Sequence, residues 1–335
     1  MKIFNIAVVG CGAISEMHFE AYAPHRDRLR LVAAFDPMPE RVEAVKQKHG
    51  VANGFASLAA MIEQSDCEVA VVCTPTSVRQ ETVHALAAAG KHVFVEKPFA
   101  DNYGEAEQMV KACEAANITL AVNQNFRYHY PFETAREIIQ SGRIGKVVSI
   151  AHQDLMFRQD AGWRTEMSRH ALSVMGVHWF DGFRWMLGTE ASSLVGETYS
   201  STAIDCAGET DASVAIRFDQ GTLVTYTESF SSCFKRTETI VIGEQGTLVL
   251  GYSGVALYDR ENRSAPREEW ENPNSGPNKP KATFTNMDIL LTSLEQGVEP
   301  SNSGRDNLKT IALLDAAYRS ASEHRPVNFE AGAPA

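Results

Sequence analysis

A short apolar run, Ile3–Val9, stops at Gly10-Cys11-Gly12, and helical spacing begins at once at Ala13 and continues to about Arg28. A strand that breaks at glycines and turns straight into a helix is the opening of a βαβ unit. The glycines let the backbone turn tightly and leave the helix N-terminus bare. The same alternation continues. Leu31–Phe35, Glu68–Cys73, His92–Val95 and Ile118–Val122 read as further short strands, with helices over Pro39–His49, Val78–Ala89 and Tyr103–Ala116. Short apolar strands alternating with helices of ten or more residues specify an α/β layer with a parallel sheet.

The pattern changes after about Asn123. Pro131–Gln140 reads as a helix, Val147–Phe157 as a long strand, and Ala171–Leu187 as an apolar, buried helix. From Ser192 to Tyr258 the chain is rich in Val, Thr, Tyr and Phe, with turn signals at Asp219-Gln220-Gly221 and Glu244-Gln245-Gly246, which predicts an antiparallel meander. Ser264–Lys281 carries four prolines and reads as a loop or flap, and Phe284–Gln296 and Arg305–Ser322 read as two last helices. The expected organisation is an α/β domain over residues 1–124 and an α+β domain over 125–335. Two domains suit 335 residues at about 150 residues each.

Charge narrows the function. Lys plus Arg is 31 and Asp plus Glu is 42, a net −11. A nucleic-acid binder needs a basic face and a polybasic membrane anchor needs clustered lysines, so neither is expected, and a neutral or weakly charged small substrate fits better. No apolar run reaches the roughly 18 residues of a membrane-spanning helix. Ile3–Val9 followed by Gly10-Cys11 has a faint likeness to a lipoprotein leader, but it is too short, Asn5 interrupts it and only Lys2 supplies charge. The six cysteines form no CxxC pair, so reduced thiols in a cytoplasmic protein are the expectation. No His, Cys and Asp grouping has zinc spacing, so no metal is expected.

The glycine turn suggests a dinucleotide. Gly10 permits the turn, and Gly12 lets a pyrophosphate approach the free N–H groups of the helix that begins with Ala13 and Ile14. The fingerprint's third glycine is replaced by Ser15. Asp36 closes the second strand at the distance expected of the acid that accepts hydrogen bonds from the ribose hydroxyls. A carboxylate there repels a 2′-phosphate, so NAD is expected over NADP. Asp36 could instead only start a turn with Pro37.

Lys97 stands just past the carboxyl end of a strand, where open α/β sheets bind ligands. Pro98 after it excludes helix and permits a cis peptide. An ammonium at that edge could stabilise an alkoxide as hydride leaves its carbon.

Five motifs in order, Gly10-Cys11-Gly12-Ala13-Ile14, Cys73-Thr74-Pro75-Thr76, Glu96-Lys97-Pro98-Phe99-Ala100, Asn123-Gln124-Asn125-Phe126-Arg127-Tyr128 and Gly176-Val177-His178-Trp179-Phe180-Asp181, resemble the Gfo/Idh/MocA family of oxidoreductases. The resemblance implies an N-terminal Rossmann domain, and a C-terminal α+β domain whose open, mostly antiparallel sheet forms a homodimer or homotetramer interface. It also implies NAD(P)-linked oxidation of a sugar or polyol hydroxyl, or the reverse reduction. It makes Lys97 the catalytic lysine and puts Thr74 and Pro75 over the nicotinamide-side ribose. Glu96 and Asn125 come near the nicotinamide, and Trp163 and Arg164 resemble a pair that reaches cofactor or substrate.

Oxidising an alcohol needs a base with a pKa near 7, and histidine starts there. His178 matches the family's histidine. Members often carry an aspartate one helical turn earlier, where this chain has Val174. Asp181 could orient His178 or bond elsewhere, and Arg169 and His170 are nearby alternatives. Arg127, Tyr128 and His129 could line the substrate cleft, as could Asp154 and Arg158. His18 is expected only to pack, His84 and His152 are scattered, and Ser173 lacks the partners of a hydrolase nucleophile. Trp179, Phe180, Phe183 and Trp185 read as helix packing. The expected function is an NAD-dependent sugar, inositol or polyol oxidoreductase. The alternatives are an enzyme that uses tightly held NAD for transient oxidation in elimination or glycoside cleavage, and a non-catalytic sugar sensor.

Overall fold

The computed structural model describes residues 2–274 and 276–329. The chain divides into two compact units, one built from Met1–Asn125 with Lys279–Ile311, the other from Phe126–Asn278 with Ala312–Ala335.

The first unit begins with β1 (Phe4–Val9), α1 (Ala13–Tyr22), β2 (Leu29–Phe35), α2 (Pro39–His49), β3 (Asn53–Phe55) and α3 (Leu58–Gln64). It continues with β4 (Val69–Val72), α4 (Arg79–Ala88), β5 (His92–Val95), α5 (Tyr103–Ala115) and β6 (Leu120–Val122). The strands form one parallel sheet in the order β3-β2-β1-β4-β5-β6. The order reverses between β1 and β4, and the carboxyl ends on either side of that reversal make the ligand crevice of such sheets. The central strands are sealed on both faces, which is why they read as continuous apolar runs.

The second unit holds α6 (Tyr130–Gln140), β7 (Val147–Phe157), α7 (Val177–Leu187), β8 (Ala191–Tyr199), β9 (Asp211–Phe218) and β10 (Leu223–Ser229). Then come β11 (Ser231–Gly243), β12 (Thr247–Gly251), β13 (Gly254–Tyr258) and β14 (Glu268–Glu271). After α8 (Lys279–Gln296) and α9 (Gly304–Glu323), β15 (Val327–Asn328) adds the last edge. The sheet order is β14-β13-β12-β11-β7-β10-β9-β8-β15. Neighbours run antiparallel except β7 and β10, which are parallel. One face packs under α6 and α7 through Ile150, Tyr226, Phe180 and Phe183, and the other face is left uncovered within the unit. Alternation along β9 and β10, buried then exposed at every second residue, reflects that one-sided packing.

Three expectations need correction. The late helices do not stay within a 125–335 domain. Met287, Leu290 and Leu291 of α8 bury with Ile6, Val8, Phe19 and Tyr22 against the parallel sheet, and Arg28 is sealed beneath Asp288 (2.7 Å) and Glu295 (3.0 Å). Residues 330–335 of that expected domain, like residue 275 of the expected flap, lie outside the described residues. Within 264–281 the chain adds β14 to the sheet instead of staying a loop, pairing with β13 from Gly254 to Leu257. The predicted helix over Ala171–Leu187 is two things, a π-helical turn at Leu172–Gly176 and then α7. No helix among the described residues is long and apolar enough to cross a membrane.

Candidate active site

The first unit gathers its candidates at the carboxyl edge of the parallel sheet. Gly10 has φ +94°, a value that disfavours any side chain, and a Cβ there would lie 3.1 Å from the Cys73 carbonyl carbon. Gly12 precedes α1 with no side-chain cap, and a Cβ on it would meet nothing within 4 Å. The turn is therefore tight on one side and open on the other, with the first N–H groups of α1, at Ala13 and Ile14, beside the opening. Ser15 fits the third glycine's place because its hydroxyl folds back to donate to the Gly12 carbonyl (2.7 Å) and the residue is fully buried.

Asp36 is buried at the end of β2. Its carboxylate accepts the N–H groups of Cys11 and Met38, each at 2.9 Å, and Arg41 approaches at 3.8 Å. A carboxylate has about four acceptor positions, so this brace leaves capacity for ribose hydroxyls. The Cys11 thiol is pushed up to about 12 by burial and by Asp36, which keeps it unreactive. Thr74 and Pro75 follow β4. The Thr74 hydroxyl, the Gln124 amide and the Asn125 carbonyl oxygen are buried with no hydrogen-bond partner among the described residues. Orphaned polar atoms along this edge are what a polar ligand lying there would satisfy. The residues present thus fit a dinucleotide.

Lys97 is half-buried past β5, and its peptide bond to Pro98 is cis. Its backbone N–H donates to Glu96 Oε2 at 3.1 Å. Glu96 Oε1 accepts from His18 Nε2 and from Asn123 Nδ2, both at 2.7 Å. Arg79, buried, donates to the carbonyls of Thr74, Glu96 and Pro98, tying the β4 turn to the Lys97 turn. Burial favours the neutral acid at Glu96, but the bonds from His18 and Asn123 hold its carboxyl below the usual 4.5. His18 is more than packing, because no neutral apolar side chain would make this bond.

The second unit places His178 on the first turn of α7, buried and stacked on Phe126 with centroids 3.8 Å apart and planes 9° apart. The Asp181 carboxylate, which could orient His178 or bond elsewhere, is gripped at 2.6 Å through both oxygens by Arg127 of the neighbouring motif. Tyr128 packs edge-on to Trp185. Trp163 and Arg164 share a short helical turn, the guanidinium 5.4 Å from the indole, with Trp163 exposed. His129 is buried beside Phe126.

The π-turn before α7 is held by Glu209. Its carboxylate accepts the N–H groups of His170 (2.8 Å) and Leu172 (2.9 Å) and the Tyr318 hydroxyl (2.6 Å). Such turns recur at functional sites. Val174 sits in it with Ala171 and Phe230, flanked by Met156, Met167 and Met175, so an apolar cluster occupies this turn. His170 is sealed against Asp160 (3.0 Å), which Arg158 also grips, and Arg169 pairs with Asp315. Asp154 is fully buried, not a solvated edge. It accepts from Thr237 (2.6 Å) and Trp179 (3.2 Å), and burial raises its carboxyl above the usual 3.8. Glu228, its register neighbour on β10, is raised well above 4.5 by burial and by Asp154. Sequence reading missed Glu228 because an acid within a strand pattern reads as solvent-facing; the signal available was its position in register with Asp154. It also missed Tyr226, which pairs in register with His152, and Glu209, which lies outside the strands.

The profile of the oxidoreductase family, NAD-binding Rossmann fold, matches residues 4–124, and that of the GFO/IDH/MocA C-terminal domain matches residues 132–249. The chain is 30% identical to a D-apiose dehydrogenase of Paraburkholderia graminis, over 100% of this chain and 93% of that protein. It is 27% identical to a myo-inositol 2-dehydrogenase of Thermotoga maritima, over 97% and 98%. Among solved structures, the WlbA dehydrogenase of Bordetella pertussis in complex with NADH and UDP-GlcNAcA superposes with a TM-score of 0.84 at 26% identity, covering 99% of each chain.

Proposed function

The chain belongs to the Gfo/Idh/MocA oxidoreductase family, and on that premise we propose that it oxidises a ring or chain hydroxyl of a neutral sugar or polyol, with NAD as partner. The observation that carries this reading is Lys97 at the carboxyl edge of the β5 strand, its backbone N–H braced by Glu96, on the same sheet edge as the open glycine turn. Relatives named D-apiose dehydrogenase and myo-inositol 2-dehydrogenase support the substrate class.

The turn residues Gly10, Gly12, Ala13 and Ile14 receive the pyrophosphate, Asp36 the adenosine ribose, and Thr74, Pro75, Glu96 and Asn125 the nicotinamide end, with Arg164 reaching the same cofactor. Bound NAD supplies the acceptor for the hydride that leaves the carbinol carbon. The Lys97 ammonium hydrogen-bonds the substrate oxygen and stabilises its developing negative charge. His178 removes the hydroxyl proton, its ring pose set by the Phe126 stack. Tyr128 and Trp163 offer a hydroxyl and an aromatic face to the sugar, while Arg127 and Asp181, close in sequence to Tyr128 and His178, hold each other. Asp36 favours NAD over NADP because a carboxylate repels a 2′-phosphate. Two chains meet through the uncovered sheet face, where Val195, Leu223 and Ile242 are 43%, 45% and 39% exposed. Reduced cysteines fit a cytoplasmic protein.

A panel of aldoses, inositols and other polyols with NAD and NADP separately, read as reduced-cofactor absorbance, tests the reading. D-Apiose and myo-inositol belong in it. Turnover with NAD that Lys97→Ala abolishes supports it, and no turnover with any member, or an NADP preference, overturns the reaction or the role of Asp36 respectively.

A further inference from the structure

Helix α1 carries a histidine on its sealed face, directly beneath the Glu96-Lys97-Pro98 turn. His18 is fully buried, its Nδ1 2.8 Å from the Tyr22 hydroxyl and its Nε2 2.7 Å from Glu96 Oε1. Asn123 donates to that same Glu96 oxygen, and the other oxygen takes the Lys97 N–H. We propose that His18 is a positioning residue of the dehydrogenase site: its charged ring holds the Glu96 carboxylate, and through it the backbone from which the Lys97 amine extends.

The inference rests on the dehydrogenase reading for what Lys97 does, but the network is a property of the first unit alone. A carboxylate buried to 3% exposure needs a compensating charge and filled acceptor sites. Arg79 spends its guanidinium on the carbonyls of Thr74, Glu96 and Pro98, and the Lys97 amine belongs to the turn itself. The imidazole is the cation bonded to the Glu96 carboxylate from beneath. The groups facing it are Tyr22 on α1, Cys73 after β4 and Glu96 after β5, with the Phe94 ring edge-on at 6.0 Å. Burial opposes charge on the ring, yet Tyr22, Cys73 and Glu96 together carry it well above 6.5. Stability alone does not call for the pair, since well-packed apolar residues often replace buried ion pairs at no loss. Its contact with the Lys97 N–H gives it a reason to be there.

Three variants of the full chain test this: His18→Gln, which keeps a donor without the charge, Glu96→Gln, and the two combined. The first readout needs no turnover. Nitrogen-15 shifts of the His18 ring, with and without NAD, are expected to show both nitrogens protonated at pH 7 in the native protein and a neutral ring in Glu96→Gln. The Lys97 13Cε resonance is expected to move in His18→Gln. In kinetics, His18→Gln lowers kcat on the order of tenfold to a hundredfold, as misplacement of a reacting group does, with the KM for NAD changed less than about threefold. The acid side of its kcat profile, set in the native protein by His178, gains a second ionisation, because Glu96 without its cation takes up a proton sooner. The double variant is no slower than the slower single variant.

A neutral His18 ring in the native protein at pH 7, an unchanged Lys97 resonance, a native pH profile in His18→Gln, or additive losses would each overturn the proposal. Should His18→Gln fail to fold, the ring titration in the native and Glu96→Gln proteins decides. A native protein that turns over no sugar or polyol sinks the dehydrogenase reading, and the resonance data judge His18 separately.

Discussion

The Arg127 guanidinium closes on both oxygens of the Asp181 carboxylate at 2.6 Å, joining the segment that leaves β6 to the helix that carries His178. Both side chains are almost fully buried, and Arg184 adds a second cation 3.7 Å from the same carboxylate. Removing one partner strands a charge, which costs about 3–5 kcal/mol in buried pairs. Arg127→Met is therefore expected to lower stability in urea denaturation by that order. Arg127→Met combined with Asp181→Leu is expected to recover part of the loss. A double variant as unstable as the sum of its singles contradicts the pairing.

The two turn glycines predict different failures. Gly10→Ala forces a side chain into left-handed backbone against the Cys73 carbonyl, and a loss of roughly 1–3 kcal/mol together with NAD binding is expected. Gly12→Val has room, so its melting temperature should stay near native while NAD affinity drops at least tenfold. Calorimetry and fluorescence titration with NADH separate the two. Retained NAD affinity in Gly12→Val would move the pyrophosphate elsewhere.

Lys97→Ala should lose on the order of 10²–10³ in kcat, the usual consequence of deleting one donor to a developing oxyanion. NADH affinity should hold within a few fold, because the ammonium acts on the substrate oxygen. His178→Asn should lose comparable activity and flatten the acid limb of the rate profile. A Lys97→Ala enzyme with near-native kcat ends the assignment.

His152 gives a pH prediction. It is buried among Trp179, Phe183 and Tyr226, donates to or accepts from Thr239 at 2.8 Å, and burial lowers its pKa from 6.5 to about 3. Below pH 6.5 the unfolded chain takes up a proton here that the folded protein refuses. Its contribution is thus complete above 6.5 and declines as the pH falls toward 3, by up to about 1.4 kcal/mol per pH unit. Urea midpoints measured from pH 7 to 4 should fall less steeply in His152→Gln than in the native protein. Parallel slopes would mean that the ring is already charged when folded.

Much of the first unit was readable because each strand announces its burial. Val69–Val72 and His92–Val95 are short apolar runs, and Gly10 has the backbone sign the turn demands. The strand Asn53–Phe55 was silent, since two of its three residues are exposed and it lies at the sheet edge. In the second unit, β7 was legible over its full length, but the nearby π-turn was not. Its apolar residues satisfy a helical period whether the ring closes at four residues or five, and the clamp that decides, Glu209, lies far along the chain. His18 was misread for a related reason. A histidine spaced four residues from Tyr22 looks like a helix-packing pair, and the carboxylate that gives it charge comes from a different strand.

The return of α8 to the parallel sheet has a consequence for how this protein could be cut or recombined. The chain passes between its units after Asn125, after Asn278 and again after Ile311, so the second unit is an internal insertion joined by the stretch from Ala312 onward. A fragment ending at residue 125 would leave the apolar surface around Ile6, Val8 and Phe19 without Met287, Leu290 and Leu291, and aggregation is the expected fate of such a face. Exchange of substrate modules between relatives would therefore have to trade the internal stretch from 126 to 278 at two splice points. It would also have to keep the final helix, which supplies residues to both parts.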